Sequence, residues 1–224
     1  MYLQIASLLN DDELSRIDSL ITGADFKDGK LTATGAAREV KNNEQLPVDG
    51  NTANAINAVI GPALANNPLF REGTQAKYFL PFLISRYAPG MEYGWHVDSP
   101  IMGNNNATIR VDMSITVFLS KPDEYEGGEL EIDTEAGTQL FKLNKGDAIV
   151  YPTTRLHRVR PVTNGLRQVA VSWIQSFIKD TAQRDLLFQL KSLQQGLEQQ
   201  QMGSPLHLLS QQIHSNLLRM LSEV

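Results

Sequence analysis

The chain has 224 residues, of which 42% are hydrophobic and 20% are charged, a composition typical of a globular protein with a sizeable core. Its formal net charge of −5 argues against nucleic acid or an anionic membrane as the main partner. It contains no cysteine, so disulfides, thiolate zinc sites, iron–sulfur clusters and cysteine nucleophiles are excluded, and any metal needs nitrogen and oxygen ligands.

The N-terminal third is predicted to form a short strand and two helices. Residues 2–8 can extend as a strand, and Asn10 is a suitable N-cap for a helix with three acidic residues in its first turn. Residues 52–65 predict a second helix, although a Gly-Pro pair weakens its middle. Residues 23–50 lack a clear period, and we assign them no chemistry. Because there is no signal-like start and no long apolar run, we expect a cytoplasmic protein.

From residue 76 the sequence changes to short β-branched or aromatic runs separated by turn residues. These runs predict strands at 78–87, 110–119, 129–133, 139–143, 148–151, 156–159 and 166–177. Strands at this spacing are typical of a β-sandwich or a double-sheet jelly roll. Segment 99–109 is polar and rich in glycine and asparagine, and we interpret it as a flap at the mouth of a site.

The C-terminal residues return to helical spacing. Leucines repeat along one helix, and Ser204-Pro205 then supplies an N-cap and a first-turn proline for a second helix. This pattern predicts a helical hairpin in residues 179–224, which either covers the sheet or forms a contact between copies of the chain. His207 and His214 lie on this hairpin far from acidic partners in the sequence, and we interpret them as packing or surface histidines.

His96 and Asp98 form the first candidate site, in the extended-looking segment from Gly94 onward. Side chains at positions i and i+2 of a strand point the same way, so this imidazole and this carboxylate can converge. The pair is either part of a metal site or an ordinary polar pair on a strand. Since the chain has only four histidines, the positions of the others become informative.

A third candidate ligand and an arginine are predicted to lie together on a β-hairpin. If the strands that carry them pair around residue 163, His157 faces Val169 and Arg167 is its diagonal neighbour. An arginine on a buried face needs an anionic partner. Because the sequence offers no obvious protein acid for this position, a bound carboxylate is a candidate partner.

Two histidines and one carboxylate on a β-scaffold form the facial triad of non-haem Fe(II) oxygenases. This set, followed by an arginine ten residues after the second histidine, resembles the 2-oxoglutarate/Fe(II) dioxygenase superfamily. More narrowly, the chain resembles the prolyl-4-hydroxylase-like subgroup and its bacterial PKHD-type hydroxylases, which are linked to iron uptake. The supporting motifs are Arg86-Tyr87-x-Pro89-Gly90, Trp95-His96-Val97-Asp98, Glu126-Gly127-Gly128-Glu129-Leu130, Gly146-Asp147-Ala148 and Leu156-His157-Arg158-Val159.

The resemblance implies a mainly β fold with helices. A double-stranded β-helix (jelly-roll) core at residues 76–178 is expected within a dioxygenase domain of residues 1–178, which also includes the N-terminal helices. Residues 179–224 are expected to be a C-terminal helical extension, through which the chain can form a homo-oligomer. No nucleic-acid or membrane partner is expected.

The resemblance also implies the composition of the site. Fe(II) is expected to be held by His96, Asp98 and His157, and the distal carboxylate of 2-oxoglutarate by Arg167, with Tyr87 helping to hold that co-substrate. Dioxygen is the second co-substrate, and ascorbate is the implied reductant. The implied reaction hydroxylates a C–H bond while 2-oxoglutarate is converted to succinate and CO₂. The hydroxylated substrate is left open between a small molecule and a protein side chain.

Two other functions stay open at this stage. The first is a cupin-like metal dioxygenase that does not use 2-oxoglutarate, against which Arg167 argues because such an enzyme needs no carboxylate anchor. The second is an iron- or 2-oxoglutarate-sensing module with little turnover that signals through the C-terminal hairpin. The complete triad favours turnover over sensing.

Overall fold

The computed structural model describes residues 2–104 and 107–223 as a mainly antiparallel β-structure with helices at both ends. The helices are α1 (Asp11–Ile21), α2 (Gly35–Glu39), α3 (Asn51–Asn66), α4 (Pro68–Thr74), α5 (Thr181–Gln201) and α6 (Pro205–Leu221), with a 3-10 turn at Gly29–Thr32. The strands are β1 (Leu3–Ile5), β2 (Lys27–Asp28), β3 (Lys41–Asn42), β4 (Glu44–Gln45), β5 (Ala76–Phe79), β6 (Leu83–Tyr87), β7 (Glu92–His96), β8 (Ile101–Asn104), β9 (Ala107–Arg110), β10 (Met113–Phe118), β11 (Tyr125–Gly127), β12 (Leu130–Thr134), β13 (Gly137–Phe141), β14 (Ala148–Pro152), β15 (His157–Val159), β16 (Val162–Gly165) and β17 (Arg167–Ser176).

Two antiparallel sheets build the β-core. The larger one has the order β1-β14-β10-β17-β6-β4-β2, with β5 also paired to β17, and the smaller one has the order β13-β12-β15-β7-β3. Apart from the hairpin of β12 and β13, most neighbouring strands come from distant parts of the chain, as expected when the chain crosses repeatedly between two sheets. The predicted jelly-roll core with flanking helices is confirmed.

The larger sheet is covered on both faces by apolar side chains. Its outer face packs on the N-terminal helices, where Ile17, Ile56 and Leu64 are buried against sheet residues such as Ile115 and Ile174. Its inner face contributes to a second apolar cluster together with the smaller sheet. Every residue of β10 is buried, and its polar residues Ser114 and Thr116 line the cavity between the two sheets.

The predicted N-terminal helices are both present. The Asn10 side chain accepts a hydrogen bond from the Glu13 backbone N–H at 2.9 Å, and the Glu13 carboxylate accepts one from the Asn10 N–H, also at 2.9 Å. This capping box fixes the start of α1. Helix α3 runs without a break through Pro62, which lies on an exposed side of the helix.

The predicted hairpin between the strands that carry His157 and Arg167 is wrong. His157 on β15 pairs with His96 on β7 and with Ile132 on β12, all in the smaller sheet. Arg167 begins β17 of the larger sheet, where its partner is Tyr87. The reason is the short strand β16 between them, which pairs with β11 instead of acting as a turn. The chain therefore crosses from one sheet to the other between these two residues.

Two other sequence predictions are refined by the structure. The strand expected at 78–87 is divided into β5 and β6, because Pro81 interrupts it. Segment 99–109, expected to be an irregular flap, contains the paired strands β8 and β9. Residues 105 and 106 of that segment lie outside the described residues.

The C-terminal hairpin is present as predicted. Ser204 caps α6 by accepting a hydrogen bond from the His207 N–H at 3.2 Å, and the Glu72 carboxylate on α4 accepts two hydrogen bonds from Gln195 on α5. His207 is buried and its Nδ1 accepts a hydrogen bond from the Gly203 N–H, which fits a packing histidine. Self-association through the hairpin, and the boundary at residue 178, stay predictions. Large apolar side chains exposed on the hairpin are Leu186, Leu193, Met202, Leu206, Leu208, Leu209, Ile213 and Met220.

A membrane-spanning helix must be long and apolar. Across residues 2–104 and 107–223, none of the helices is long and apolar enough to cross a bilayer. The longest helix, α5, carries glutamine and charged residues over much of its length.

Ile56→Ala tests the packing of α3 on the larger sheet. Ile56 is 0% exposed, so its removal leaves a cavity, and we expect the free energy of unfolding to fall by about 2–5 kcal/mol. Urea denaturation followed by circular dichroism measures this change. Leu31→Ala is the control because Leu31 is 75% exposed, and it should shift stability by less than about 0.5 kcal/mol. Equal effects of the two substitutions would contradict the assigned core.

Candidate active site

His96, Asp98 and His157 come together on the side of the smaller sheet that faces the larger one. The pairing of β7 with β15 puts the two imidazole rings side by side, with centroids 4.3 Å apart. Asp98 lies two residues beyond His96, just after β7 ends. Its Oδ1 is 3.9 Å from His96 Nε2, and its Oδ2 is 3.6 Å from His157 Nε2. One ligand atom from each residue fits within a span of 4.8 Å, which suits a single metal ion.

Backbone carbonyls fix the tautomers of the two histidines. Nδ1 of His96 is 2.8 Å from the Gly94 carbonyl oxygen, and Nδ1 of His157 is 3.1 Å from that of Arg155. A carbonyl oxygen only accepts hydrogen bonds, so each Nδ1 must carry the proton. In the neutral rings, both Nε2 lone pairs then face the cluster and are available to a metal.

The Asp98 carboxylate is held from the larger sheet. The Ser114 hydroxyl on β10 donates a hydrogen bond to Asp98 Oδ2 at 2.6 Å. This bond links the two sheets directly at the ligand cluster. It supports a carboxylate that lies outside a regular strand, and hydrogen bonds of this kind commonly orient metal-ligating carboxylates.

Aromatic rings enclose the histidines. Tyr93 stacks on His96 with centroids 3.6 Å apart, and Tyr151 meets His157 edge-on at 5.2 Å. Burial, and secondly the neighbouring His157, lower the pKa of His96 to about 4, so its imidazole is neutral at physiological pH. Burial raises the pKa of both tyrosines, so their hydroxyls stay protonated.

The cluster opens into a cavity of about 410 Å³ between the two sheets. His96, Asp98, His157, Arg167 and Tyr87 all line it, so the five residues singled out in the sequence face one space. The segment predicted as a flap contributes four residues to the wall beside the ligand cluster. These are Ser99, Ile101, Met102 and Gly103.

Arg167 is a buried cation in this cavity. It is 1% exposed, and its Nε and Nη1 have no hydrogen-bond partner in the described part of the chain. Its guanidinium carbon lies 5.0 Å from the Tyr87 ring centroid and 5.9 Å from that of Phe118. No ion pair joins it to an acidic side chain among residues 2–104 and 107–223. An unpaired buried charge is costly, so this site is suited to an anion that comes from outside the chain.

Gly128 makes room for the arginine side chain. It has φ +66°, and a Cβ atom at this position would lie 2.9 Å from Arg167 Cδ and 2.9 Å from Val162 Cγ2. Only glycine meets both requirements without displacing a neighbour. The Gly-Gly motif of the sequence thus has a specific spatial role beside Arg167.

Several polar residues of the cavity were not identified from the sequence. Tyr93, Ser114 and Tyr151 carry no motif, because their roles come from strand register alone. Lys41 and Gln45 lie in the segment to which no chemistry was assigned. Residues 41–45 are all polar, so the sequence shows no apolar alternation there, and their alternate burial is visible only in the structure.

Comparison with known proteins agrees with this donor set. Residues 82–175 match the model of the 2OG-Fe(II) oxygenase superfamily. The full chain is 42% identical to a PKHD-type hydroxylase from Thermosynechococcus vestitus, with both chains covered over 100% of their length. The chain belongs to the 2OG-Fe(II) oxygenase superfamily and its PKHD-type hydroxylases.

Other relatives are consistent with this assignment. The chain is 41% identical to a PKHD-type hydroxylase from Hyphomonas neptunium, over 98% of this chain and 99% of that one. A prolyl-4-hydroxylase from Pseudomonas putida has the same fold, with a TM-score of 0.55 at 17% identity, over 78% of this chain and 92% of that one. Membership makes the protein an oxidoreductase of the dioxygenase type, and it implies Fe(II) and 2-oxoglutarate as cofactor and co-substrate.

The residues present fit these two groups. Two imidazole nitrogens and one carboxylate oxygen on one side of a metal are the donor set of non-haem Fe(II) oxygenases. The unpaired guanidinium in the same cavity suits a dicarboxylate. The cupin-like alternative without 2-oxoglutarate is wrong at the level of family, and it also leaves this cation unexplained.

Gly128→Ala tests whether Gly128 provides the space that the Arg167 side chain occupies. The added methyl group displaces the arginine side chain, so the affinity for 2-oxoglutarate should fall on the order of tenfold to a hundredfold. Isothermal titration of the Mn(II)-loaded protein measures it. Gly137→Ala is the matched control, because Gly137 also has a positive φ of +100° but nothing within 4 Å of the added atom. Unchanged affinity in Gly128→Ala, or equal losses in both variants, would contradict the assigned role.

Proposed function

We propose that His96, Asp98 and His157 bind Fe(II), and that Arg167 with Tyr87 binds the distal carboxylate of 2-oxoglutarate. In this proposal the protein hydroxylates a C–H bond of a substrate. The observation that carries it is a ligand cluster and an unpaired buried guanidinium that line the same cavity.

The protein itself positions the metal and the co-substrate and shields them from solvent. When bound, Fe(II) and 2-oxoglutarate supply the oxygen chemistry that hydroxylates the substrate, with release of succinate and CO₂. The carbonyls of Gly94 and Arg155 keep each Nε2 directed at the metal, and the Ser114 hydroxyl orients Asp98. His96, Asp98 and His157 would hold the metal from the protein side, and the cavity beside them would admit the 2-oxo acid and dioxygen.

Arg167 determines where the distal carboxylate of 2-oxoglutarate binds. Its planar fork can donate two parallel hydrogen bonds to a carboxylate, which fixes orientation as well as affinity. The Tyr87 ring beside it and the buried Phe118 exclude water from that end of the cavity. In this dry surrounding the pairing of guanidinium and carboxylate is stronger than in bulk solvent.

The finer features of the function are proposals as well. We propose ascorbate as the reductant, a cytoplasmic location, and a link to iron uptake or homeostasis, which the resemblance to the PKHD-type hydroxylases supports. The substrate is either a small molecule or a protein side chain. Extracts from iron-starved cells, incubated with the enzyme and screened by mass spectrometry for one compound that gains an oxygen atom, test the iron link.

Arg167→Met tests the proposed reaction. We expect succinate formation that requires both Fe(II) and 2-oxoglutarate, and a loss of about 2–5 kcal/mol in 2-oxoglutarate affinity in the variant, because a charge-assisted pair is removed. Arg16→Met is the control, since Arg16 lies exposed on α1.

The same assay separates turnover from sensing. Succinate that forms only with both Fe(II) and 2-oxoglutarate, and that increases with a candidate substrate, supports an enzyme. Tight 2-oxoglutarate binding without succinate would favour the sensing module. An unchanged 2-oxoglutarate affinity in Arg167→Met would contradict the assignment of Arg167.

A further inference from the structure

Lys41 is a cation in the cavity wall that the reaction described above does not use. It is 4% exposed and lines the same cavity as the ligand cluster. Residues 41, 43 and 45, on β3, between β3 and β4, and on β4, all line the cavity, and Lys41 is the charged member of this row. The row pairs with both sheets, through β3 on the smaller and β4 on the larger.

The partners of the Lys41 ammonium are neutral. Nζ donates to the Thr32 hydroxyl at 2.8 Å and to Gln45 Oε1 at 3.3 Å, and the Gln45 amide in turn donates to the Ser85 hydroxyl at 2.8 Å. No carboxylate forms an ion pair with Lys41 in the described part of the chain. The hydrogen bonds hold the ammonium in place, and Asp98 and Asp28 act on its charge only through space, without a direct ion pair. Burial lowers the pKa of Lys41 to about 8, so its side chain is still mostly charged at neutral pH.

The positive and negative charges in the cavity can be compared to find which of them has no counter-charge. Among the described lining residues, the lysine, arginine and acidic side chains are Lys41, Arg167 and Asp98. This step rests on the proposed function. The two charges of ferrous iron and the one of Arg167 are balanced by Asp98 and the two carboxylates of 2-oxoglutarate. Lys41 is then the one excess positive charge in the loaded site, and a buried excess charge attracts an anion.

The position of Lys41 separates it from the co-substrate anchor. Its Nζ lies 5.3 Å from the centroid of the Tyr93 ring, and the other neighbour of that ring is His96. Its partner Thr32 is exposed at the rim of the cavity, whereas Arg167 is fully buried. Arg167 instead contacts the rings of Tyr87 and Phe118. Lys41 therefore occupies a different part of the cavity from Arg167, beside the ligand cluster.

We propose that Lys41 binds a carboxylate of the substrate that is hydroxylated. The substrate class is thus a carboxylic acid small enough to reach the cavity, such as a free amino acid or the acidic end of a larger molecule. Lys41 is a specificity-determining residue in this proposal, and the neutral residues Thr32 and Gln45 position its ammonium.

Matched acids and amides test this proposal. The probes are free amino acids and other small carboxylic acids, each paired with its primary amide. Binding is measured by calorimetry under argon on protein loaded with Mn(II) and 2-oxoglutarate, so that no turnover is required. We expect at least one acid to bind about tenfold or more tightly than its amide, because only the acid can neutralise the ammonium.

Two variants of Lys41 test whether this residue causes the preference for acids. Lys41→Met removes the charge and the hydrogen bonds, and Lys41→Gln keeps a polar side chain at similar length if the first variant is unstable. The preference for acid over amide should disappear in both variants, whereas the affinity for 2-oxoglutarate should change less than about twofold. Lys27→Met is the control, since the exposed Lys27 pairs with Asp25 outside the cavity. It should keep the preference.

Three results would overturn the proposal. One is that no acid in the panel is preferred over its amide by the unmodified protein. Another is that the preference survives in a folded Lys41 variant. The third is that loss of Lys41 weakens 2-oxoglutarate binding, which would make it part of the co-substrate site. Failure of the proposed function itself is distinguishable, because then Arg167→Met leaves 2-oxoglutarate binding unchanged.

Discussion

The uncompensated guanidinium of Arg167 is the constraint on which the inner part of the molecule depends. Burying a charge without a partner costs several kcal/mol in a protein interior. A bound anion in the cavity would offset this cost. The neighbours of Arg167 are arranged accordingly. Gly128 leaves space for the side chain, and the rings of Tyr87 and Phe118 keep water away without providing a competing acid.

The second requirement is that the ligand cluster faces the same space from the opposite sheet. This is achieved by strand register, since His157 pairs directly with His96 across β15 and β7. The hydrogen bond from Ser114 to Asp98 then connects the smaller sheet with the larger one at the cluster. The outer apolar core, between the larger sheet and the N-terminal helices, holds the sheet that carries Arg167 in position.

Much of this arrangement could be predicted from the sequence, because the strongest signals are local. Capping residues and helical spacing located α1, α3 and the C-terminal hairpin, and the spacing of His96 and Asp98 indicated a shared direction. The pairing of the strands around residue 163 was predicted wrongly, since sheet partners are non-local. That His157 and Arg167 nevertheless line one cavity follows from the crossing between sheets, which no local pattern encodes.

Other residues of the site could not be predicted from the sequence for a different reason. Lys41 and Gln45 lie on strands of two residues each within an all-polar stretch, which has no apolar alternation to indicate a strand. Tyr93 and Ser114 are ordinary residues of longer strands, whose roles depend on what lies across the sheet or across the cavity. Their positions become meaningful only once the register of β7 and β10 is known.

In the proposed function, one cavity holds both the metal and the co-substrate. Anaerobic addition of Fe(II) and 2-oxoglutarate to the protein tests it most directly, by visible absorption spectroscopy. A weak charge-transfer band that requires both additions, and that is lost in His157→Ala but retained in His214→Ala, is the predicted result. Absence of the band in the unmodified protein, or its persistence in His157→Ala, would contradict the claim.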